Sequence, residues 1–168
     1  MDDALFDAWH RTVGSDDTII VAGDVMLGSP RERPDRTQRI IDAPGYKVLV
    51  YGNHDQNGRG GIATDGFDEA HLALRLAGDP VLVVTHMPLA IMPAGAVNVH
   101  GHTHQHEAEN ASRHINVAVE QIEYRPRRLA EIRAVARRIL RARPAPNATT
   151  AERLSRTGST GRPRRPPY

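Results

Sequence analysis

The chain has 168 residues, a mass of 18.5 kDa, 39% hydrophobic residues and a formal charge of +2, which suits about one domain with a real core. It contains no cysteine, so disulfides, thiolate metal sites and cysteine nucleophiles are excluded together, and any metal must rest on imidazole, carboxylate or amide oxygen. No run approaches the roughly 18 apolar residues of a membrane span, and the start is acidic (Asp2, Asp3, Asp7), so the expectation is a cytoplasmic protein without membrane contact.

From the N-terminus, Ala4, Leu5, Ala8, Trp9 and Val13 form an apolar stripe of helical period, and Gly14 stands where a helix commonly stops. A strand over Ile19–Ala22 follows and runs into Gly23-Asp24. Pro34–Ile41 reads as a second helix, with Ile40 and Ile41 on its inner face and Ala43-Pro-Gly45 closing it. The next strand, Val48–Tyr51, ends in Gly52-Asn53-His54-Asp55. His71–Leu76 alternates, and Ala77-Gly-Asp-Pro80 separates it from Val81–Val84, which predicts an antiparallel hairpin ending in Thr85-His86. Val97–Val99 leads into His100-Gly101-His102-Thr103-His104, and Ile115–Val119 supplies a last strand. The fold class is therefore α/β, a mixed sheet flanked by helices, with strand ends that bring residues about eighty positions apart to one rim.

The small net charge conceals two unlike parts. Residues 1–124 carry nine basic and eighteen acidic side chains, whereas residues 125–168 carry thirteen basic and two acidic ones. Within 125–143, Leu129, Ile132, Ala136, Ile139 and Leu140 recur at helical spacing among arginines, which predicts a basic amphipathic helix over about 128–141. Pro144 and Pro146 should end it, and residues 144–168, rich in Arg, Pro, Gly and Ser, read as a disordered tail. This segment offers contact with nucleic acid or another polyanion without sequence readout. No aromatic residue lies between Tyr124 and Tyr168, which argues against base stacking.

Four apolar runs thus end in residues that bind metal ions. In Gly52-Asn53-His54-Asp55 the glycine permits a sharp turn, the amide oxygen is a neutral ligand, the imidazole can face a substrate and Asp55 can fix the tautomer of a neighbouring ring. Two imidazoles two residues apart in His102-Thr103-His104 have little packing use. Asp24 alone reads as a cap or turn residue and His86 alone as a hydrogen-bonded strand end; their joint occurrence in this order is what carries the signal. His71, His100 and His114 read as strand residues with local hydrogen bonds and His106 as solvated. Nothing in the spacing of Arg59 or Arg113 selects either as a phosphate contact.

Gly23-Asp24, Gly52-Asn53-His54-Asp55, Thr85-His86 and Gly101-His102-Thr103-His104, in this order over residues 18–124, resemble the calcineurin-like metallophosphoesterase family. The small single-domain bacterial and phage members are the nearest in local pattern, through His86-Met-Pro-Leu89 and Ile115-Asn-Val-Ala-Val119 leading to Tyr124-Arg-Pro126. The resemblance implies an α+β sandwich flanked by helices over residues 1–124, and a dinuclear centre that hydrolyses a phosphate ester of a small molecule or nucleotide. By it, Asp24 would bridge two divalent ions, Asn53, His86 and His102 would complete one site, and His104 would belong to the other. His54 would meet the scissile phosphate or leaving oxygen, supported by Asp55. Manganese is the first expectation for the ions, with Fe, Ni²⁺ and Zn²⁺ suited to the same donors.

The chain departs from that pattern in lacking an Asp-x-His strand, whose two ligands would complete the second site. Asp2, Asp3 and His10 read instead as charges of the N-terminal helix. Two explanations stand. In one, the reading frame has been opened late at an internal Met; in the other, one site is complete and its neighbour crippled, leaving a catalytically impaired homologue that acts as a binding protein. The first is favoured, because omitting a central strand leaves ladder groups unpaired and opens an edge.

Overall fold

The computed structural model describes residues 2–25, 33–56, 61–106 and 111–142; the expected tail and Arg59 lie outside them. Helix α1 (Asp2–Thr12) leads into strand β1 (Thr18–Val21), and α2 (Pro34–Asp42) leads into β2 (Tyr46–Val50). With the short β3 (Glu69–His71) these strands form an all-parallel sheet in the order β1-β2-β3, Ile20 lying opposite Val48 and Leu49 opposite Ala70. A second sheet, ordered β4-β5-β6-β7, is built from β4 (Ala73–Leu76), β5 (Val81–Thr85), β6 (Ala96–His100) and β7 (His114–Asn116). Its first pair is antiparallel and its other two are parallel.

The strands divide between two sheets, in keeping with the expected α/β class of mixed sheets and helices, and do not lie in one continuous sheet. The alternating run His71–Leu76 is divided at Leu72, which is 70% exposed: residues before it pair with β2 and residues after it with β5. The expected hairpin survives from Ala73 onward, with Leu74 opposite Val84. The last strand is shorter than Ile115–Val119. After Asn116, Val117 still donates its amide to the carbonyl of His100, and a turn follows in which Glu123 and Tyr124 take positive φ.

Alternate positions of β5 and β6, Leu82, Val84, Val97 and Val99, join Val50 of β2 in one buried cluster. Helix α3 (Leu129–Arg141) completes it through Ala136, packed with Ile132, Ile139 and Leu140 at its edge. The polar face of α3 also serves the fold. Arg133 donates to the carbonyl oxygens of Pro80 and Ala77, both at 2.6 Å, and Arg137 to that of Asp79 at 2.7 Å, so this helix is pinned to the β4–β5 turn. Those guanidinium groups satisfy carbonyls that the turn leaves without a ladder partner.

A smaller cluster of Phe6, Ile40, Val25 and Phe67 joins the two N-terminal helices to the segments that follow β1 and precede β3. The inner face of α1 is shifted from the predicted stripe: Phe6, Ala8 and Trp9 are buried whereas Ala4 is exposed. On α2 only Ile40 is buried, and Ile41 is 47% exposed. Acidic residues of α1 that read as a solvated face are paired with the next helix, Asp2 with Arg36 and Asp3 with Arg39, whose guanidinium lies 4.2 Å above the ring of Phe6.

His100 is 1% exposed in β6, in edge-to-face contact with His114, and among the described residues the Nδ1 atoms of both rings lack a hydrogen-bond partner. Burial, with smaller contributions from His114 and neighbouring imidazoles, lowers the His100 pKa to about 4. Between about pH 6.5 and pH 4 the unfolded chain therefore takes up a proton that the folded chain refuses, and stability falls with pH across that window. An NMR titration should place the His100 midpoint near pH 4; a midpoint near 6.5 would contradict this environment. In urea unfolding, Leu82→Ala should cost about 2–5 kcal/mol and Ile91→Ser, at an 87% exposed position, less than about 0.5 kcal/mol.

Candidate metal centre

The loops after β1, β2, β5 and β6 meet because the backbone between them is stripped of side chains. Gly23 has φ of 81°, and a Cβ there would lie 2.6 Å from both the Gly52 nitrogen and the His86 ring. A Cβ at Gly52 would lie 2.3 Å from an Asp24 carboxylate oxygen. Any larger residue at either position would force the loops apart.

Asp55 ties two of these loops together. Its buried carboxylate accepts from the amides of Asp24, Gly52 and Val25, each at 2.8 Å. Asp24 is thereby held at φ of 53°, a left-handed conformation that costs a non-glycine residue energy and persists only where its surroundings fix it. With its oxygens given to three amides, Asp55 acts on the loop backbones; this replaces the support of the His54 ring expected from the sequence.

Held in this way, Asp24 extends its carboxylate between two loops. Its Oδ1 accepts from the His54 amide at 2.8 Å, and its Oδ2 lies 3.1 Å from His86 Nε2. The latter atom is 3.0 Å from His102 Nδ1. One ligand atom from each of Asp24, His86 and His102 falls within 4.8 Å of the others.

The chemistry of this donor set fits a cation. His86 Nδ1 lies 2.8 Å from the carbonyl oxygen of Ala22, which can only accept, so the ring carries its proton there and a neutral His86 has a bare Nε2. That lone pair then faces a carboxylate oxygen, an arrangement of two acceptors that repels unless a positive centre stands between them. A neutral His102 can donate from Nδ1 to relieve one contact, whereas a metal ion relieves both. Carboxylate and imidazole together suit Mn²⁺, Fe, Ni²⁺ or Zn²⁺.

The other expected residues are placed differently. Asn53 and His54 stand exposed on the turn after β2, with the His54 backbone joined to Asp24. His104 lies outside the three-residue cluster; its side chain is 68% exposed and its Nδ1 is 3.0 Å from Glu120 Oε1. Burial raises the pKa of Glu120, but bonds to its own backbone amide and to His104 bring it below the usual value. Arg113 is bonded to the carbonyl oxygens of Pro93 and Met92, and His114 Nε2 to that of Leu89.

Sequence reasoning missed Asn98. Completely buried in β6, it donates to the Val83 carbonyl at 2.8 Å and to Thr85 Oγ1 at 2.9 Å, and accepts from the Leu89 amide at 2.9 Å. It thus fixes the segment on both sides of His86. A single polar residue inside the apolar run 96–99 was its signal.

No family model matches the chain. It is similar to the Gene 66 protein of Mycobacterium phage L5, 43% identical over 54 residues, which are 32% of this chain and 26% of that protein. The Gene 66 protein of Mycobacterium phage D29 is 35% identical over 52 residues, 31% of this chain and 26% of that protein. The chain thus matches about a quarter of the length of these curated relatives. A crystal structure of a protein of unknown function from Aquifex aeolicus, AQ665, shares the fold with a TM-score of 0.66 and 21% identity over 80% of this chain and 84% of that one.

Replacing Asp55 by Ala strands three amide donors and should lower stability by about 3–5 kcal/mol in urea unfolding, with Asp55→Asn recovering part of the loss. An unchanged midpoint for Asp55→Ala would contradict the clamp.

Proposed function

We propose that this chain carries the centre of a metal-dependent phosphoesterase, a hydrolase of phosphoric mono- or diesters. The observation that carries this reading is the convergence of Asp24, His86 and His102, with a bare Nε2 facing a carboxylate oxygen, beside an exposed histidine on the Gly52-Asn53-His54-Asp55 turn. The resemblance of the four loops to calcineurin-like metallophosphoesterases, in motif and in order, supports it.

In this reading Asp24, His86 and His102 hold a divalent ion, with Asn53 as a further oxygen donor from the adjoining turn. A divalent ion in such a site polarises a phosphoryl oxygen and lowers the pKa of water. The protein's own groups do the rest. Asp55 holds the Asp24 and Gly52 amides so that ligand loops need not reorganise when charge develops. His54, anchored through its backbone to Asp24 and exposed, would meet the leaving oxygen with its ring and supply a proton. No protein nucleophile is required, in keeping with the absence of cysteine. The substrate is a phosphate ester of a small molecule or nucleotide, and Mn²⁺ is the first ion to test.

A second reading is favoured by one observation: among the described residues, only one metal's worth of ligands converges, and His104 stands apart. In it the protein binds a metal with impaired catalysis, and its basic C-terminal segment contacts nucleic acid or another polyanion. Arg133 and Arg137 are engaged with the β4–β5 turn, so such contact would fall to the other arginines.

Hydrolysis of bis(p-nitrophenyl) phosphate with added Mn²⁺ separates the two. The phosphoesterase reading predicts metal-dependent turnover that falls about 10²-fold or more in His54→Ala, with His106→Ala unaffected. Equal rates for the wild type and His54→Ala would reject the proposed role of His54.

A further inference from the structure

His104 is the loop histidine that the three-residue cluster leaves out, yet its backbone and its ring are both held by hydrogen bonds. Its φ is 48°, in the left-handed region that few non-glycine residues occupy. The segment after β7 surrounds it. Asn116 donates to the His104 carbonyl at 2.7 Å and to Thr103 Oγ1 at 3.1 Å, and Gln121 donates to the same His104 carbonyl at 3.3 Å. Asn116 Oδ1 also accepts from the Ala118 amide at 2.9 Å, which shapes the turn that brings Glu120 to the ring. A left-handed backbone kept in place by two side chains, from the end of β7 and the turn after it, points to a function for the side chain so presented.

We propose that Glu120 is a positioning residue that fixes His104 in the Nδ1–H tautomer and presents its Nε2 as a metal ligand, with Asn116 and Gln121 holding the backbone beneath it. A carboxylate accepts and cannot donate, so the 3.0 Å contact requires the proton on Nδ1, and in the neutral ring this leaves Nε2 with its lone pair. Among the described residues, Nε2 has no hydrogen-bond partner. A carboxylate behind an imidazole both orients the ring and raises its basicity as a ligand. The 68% exposure of His104 leaves that nitrogen open to a cation arriving from solvent. For its metal role the proposal rests on the metal-centre reading above; for the tautomer it does not.

The test uses the full chain labelled with ¹⁵N-histidine, free of metal, at a pH where the rings are neutral. Long-range ¹H–¹⁵N correlations should show His104 as the Nδ1–H tautomer. Glu120→Ala should return it toward the Nε2–H form, and Glu120→Gln, which keeps an acceptor, should retain Nδ1–H. An Nε2–H ring in the wild type, or no change in Glu120→Ala, overturns the proposal without reference to any metal. Calorimetric titration with Mn²⁺ forms the second arm. Glu120→Ala should weaken binding about 10–100-fold, close to the effect of His104→Ala, with Glu120→Gln nearer the wild type. If the wild type binds Mn²⁺ and neither Glu120→Ala nor His104→Ala alters the isotherm, the ligand role falls and the centre formed by Asp24, His86 and His102 stands. If the wild type binds no Mn²⁺, the metal-centre reading itself falls, and the ligand role of His104 falls with it.

Discussion

The buried carboxylate of Asp55 is the constraint on which the site depends. Two parallel strands deliver their C-terminal ends side by side, but a strand end has no intrinsic reason to turn its next residue into a shared crevice. Asp55 supplies one by accepting the Gly52 amide of its own loop and the Asp24 and Val25 amides of the neighbouring loop. Charge-assisted bonds of this kind are about twice as strong as neutral ones, and here they act where water is excluded. The left-handed backbone of Asp24 follows from them, as does the direction of its carboxylate.

From that point the geometry propagates by exclusion of bulk. Glycine at 23 and 52 lets the Asp24 carboxylate and the His86 ring approach within hydrogen-bonding distance of each other. His86 is fixed from behind by the Ala22 carbonyl, and its loop is fixed from beneath by Asn98. The amides of Gly101 and His102 both donate to the His86 carbonyl, which sets the loop that carries His102. Asp24 and His86 are therefore held by groups outside the cluster, and His102 through the His86 backbone, so the three donor atoms stay close together despite their mutual repulsion.

Much of this was legible in the sequence, and the reasons are local. Apolar runs that stop at Gly-Asp, Gly-Asn-His-Asp, Thr-His or Gly-His-Thr-His mark both a strand end and a side chain of metal-binding type, because each feature is written within a few adjacent residues. What local pattern cannot carry is a choice made by distant partners. Nothing at Leu72 announces that an unbroken alternation will serve two sheets. Likewise Ile40 and Ile41 differ in burial only because of how α2 meets Phe6 and Phe67. Asp55 was legible as important but not in its role, since only the fold brings the Asp24 amide to it. Asn98 and Glu120 lie outside the motifs, one inside an apolar strand and the other in a turn, and neither could be tied to His86 or His104 without the structure.

The central claim is that Asp24, His86 and His102 form the cradle of a cation. Crystals soaked in Mn²⁺ or Zn²⁺ and measured at the metal's absorption edge test it most directly. The account predicts an anomalous peak bonded to Asp24 Oδ2, His86 Nε2 and His102 Nδ1, at about 2.0–2.2 Å from each if the ion is zinc. A fully soaked crystal with no peak among these three atoms, or with one bound only elsewhere, would contradict it.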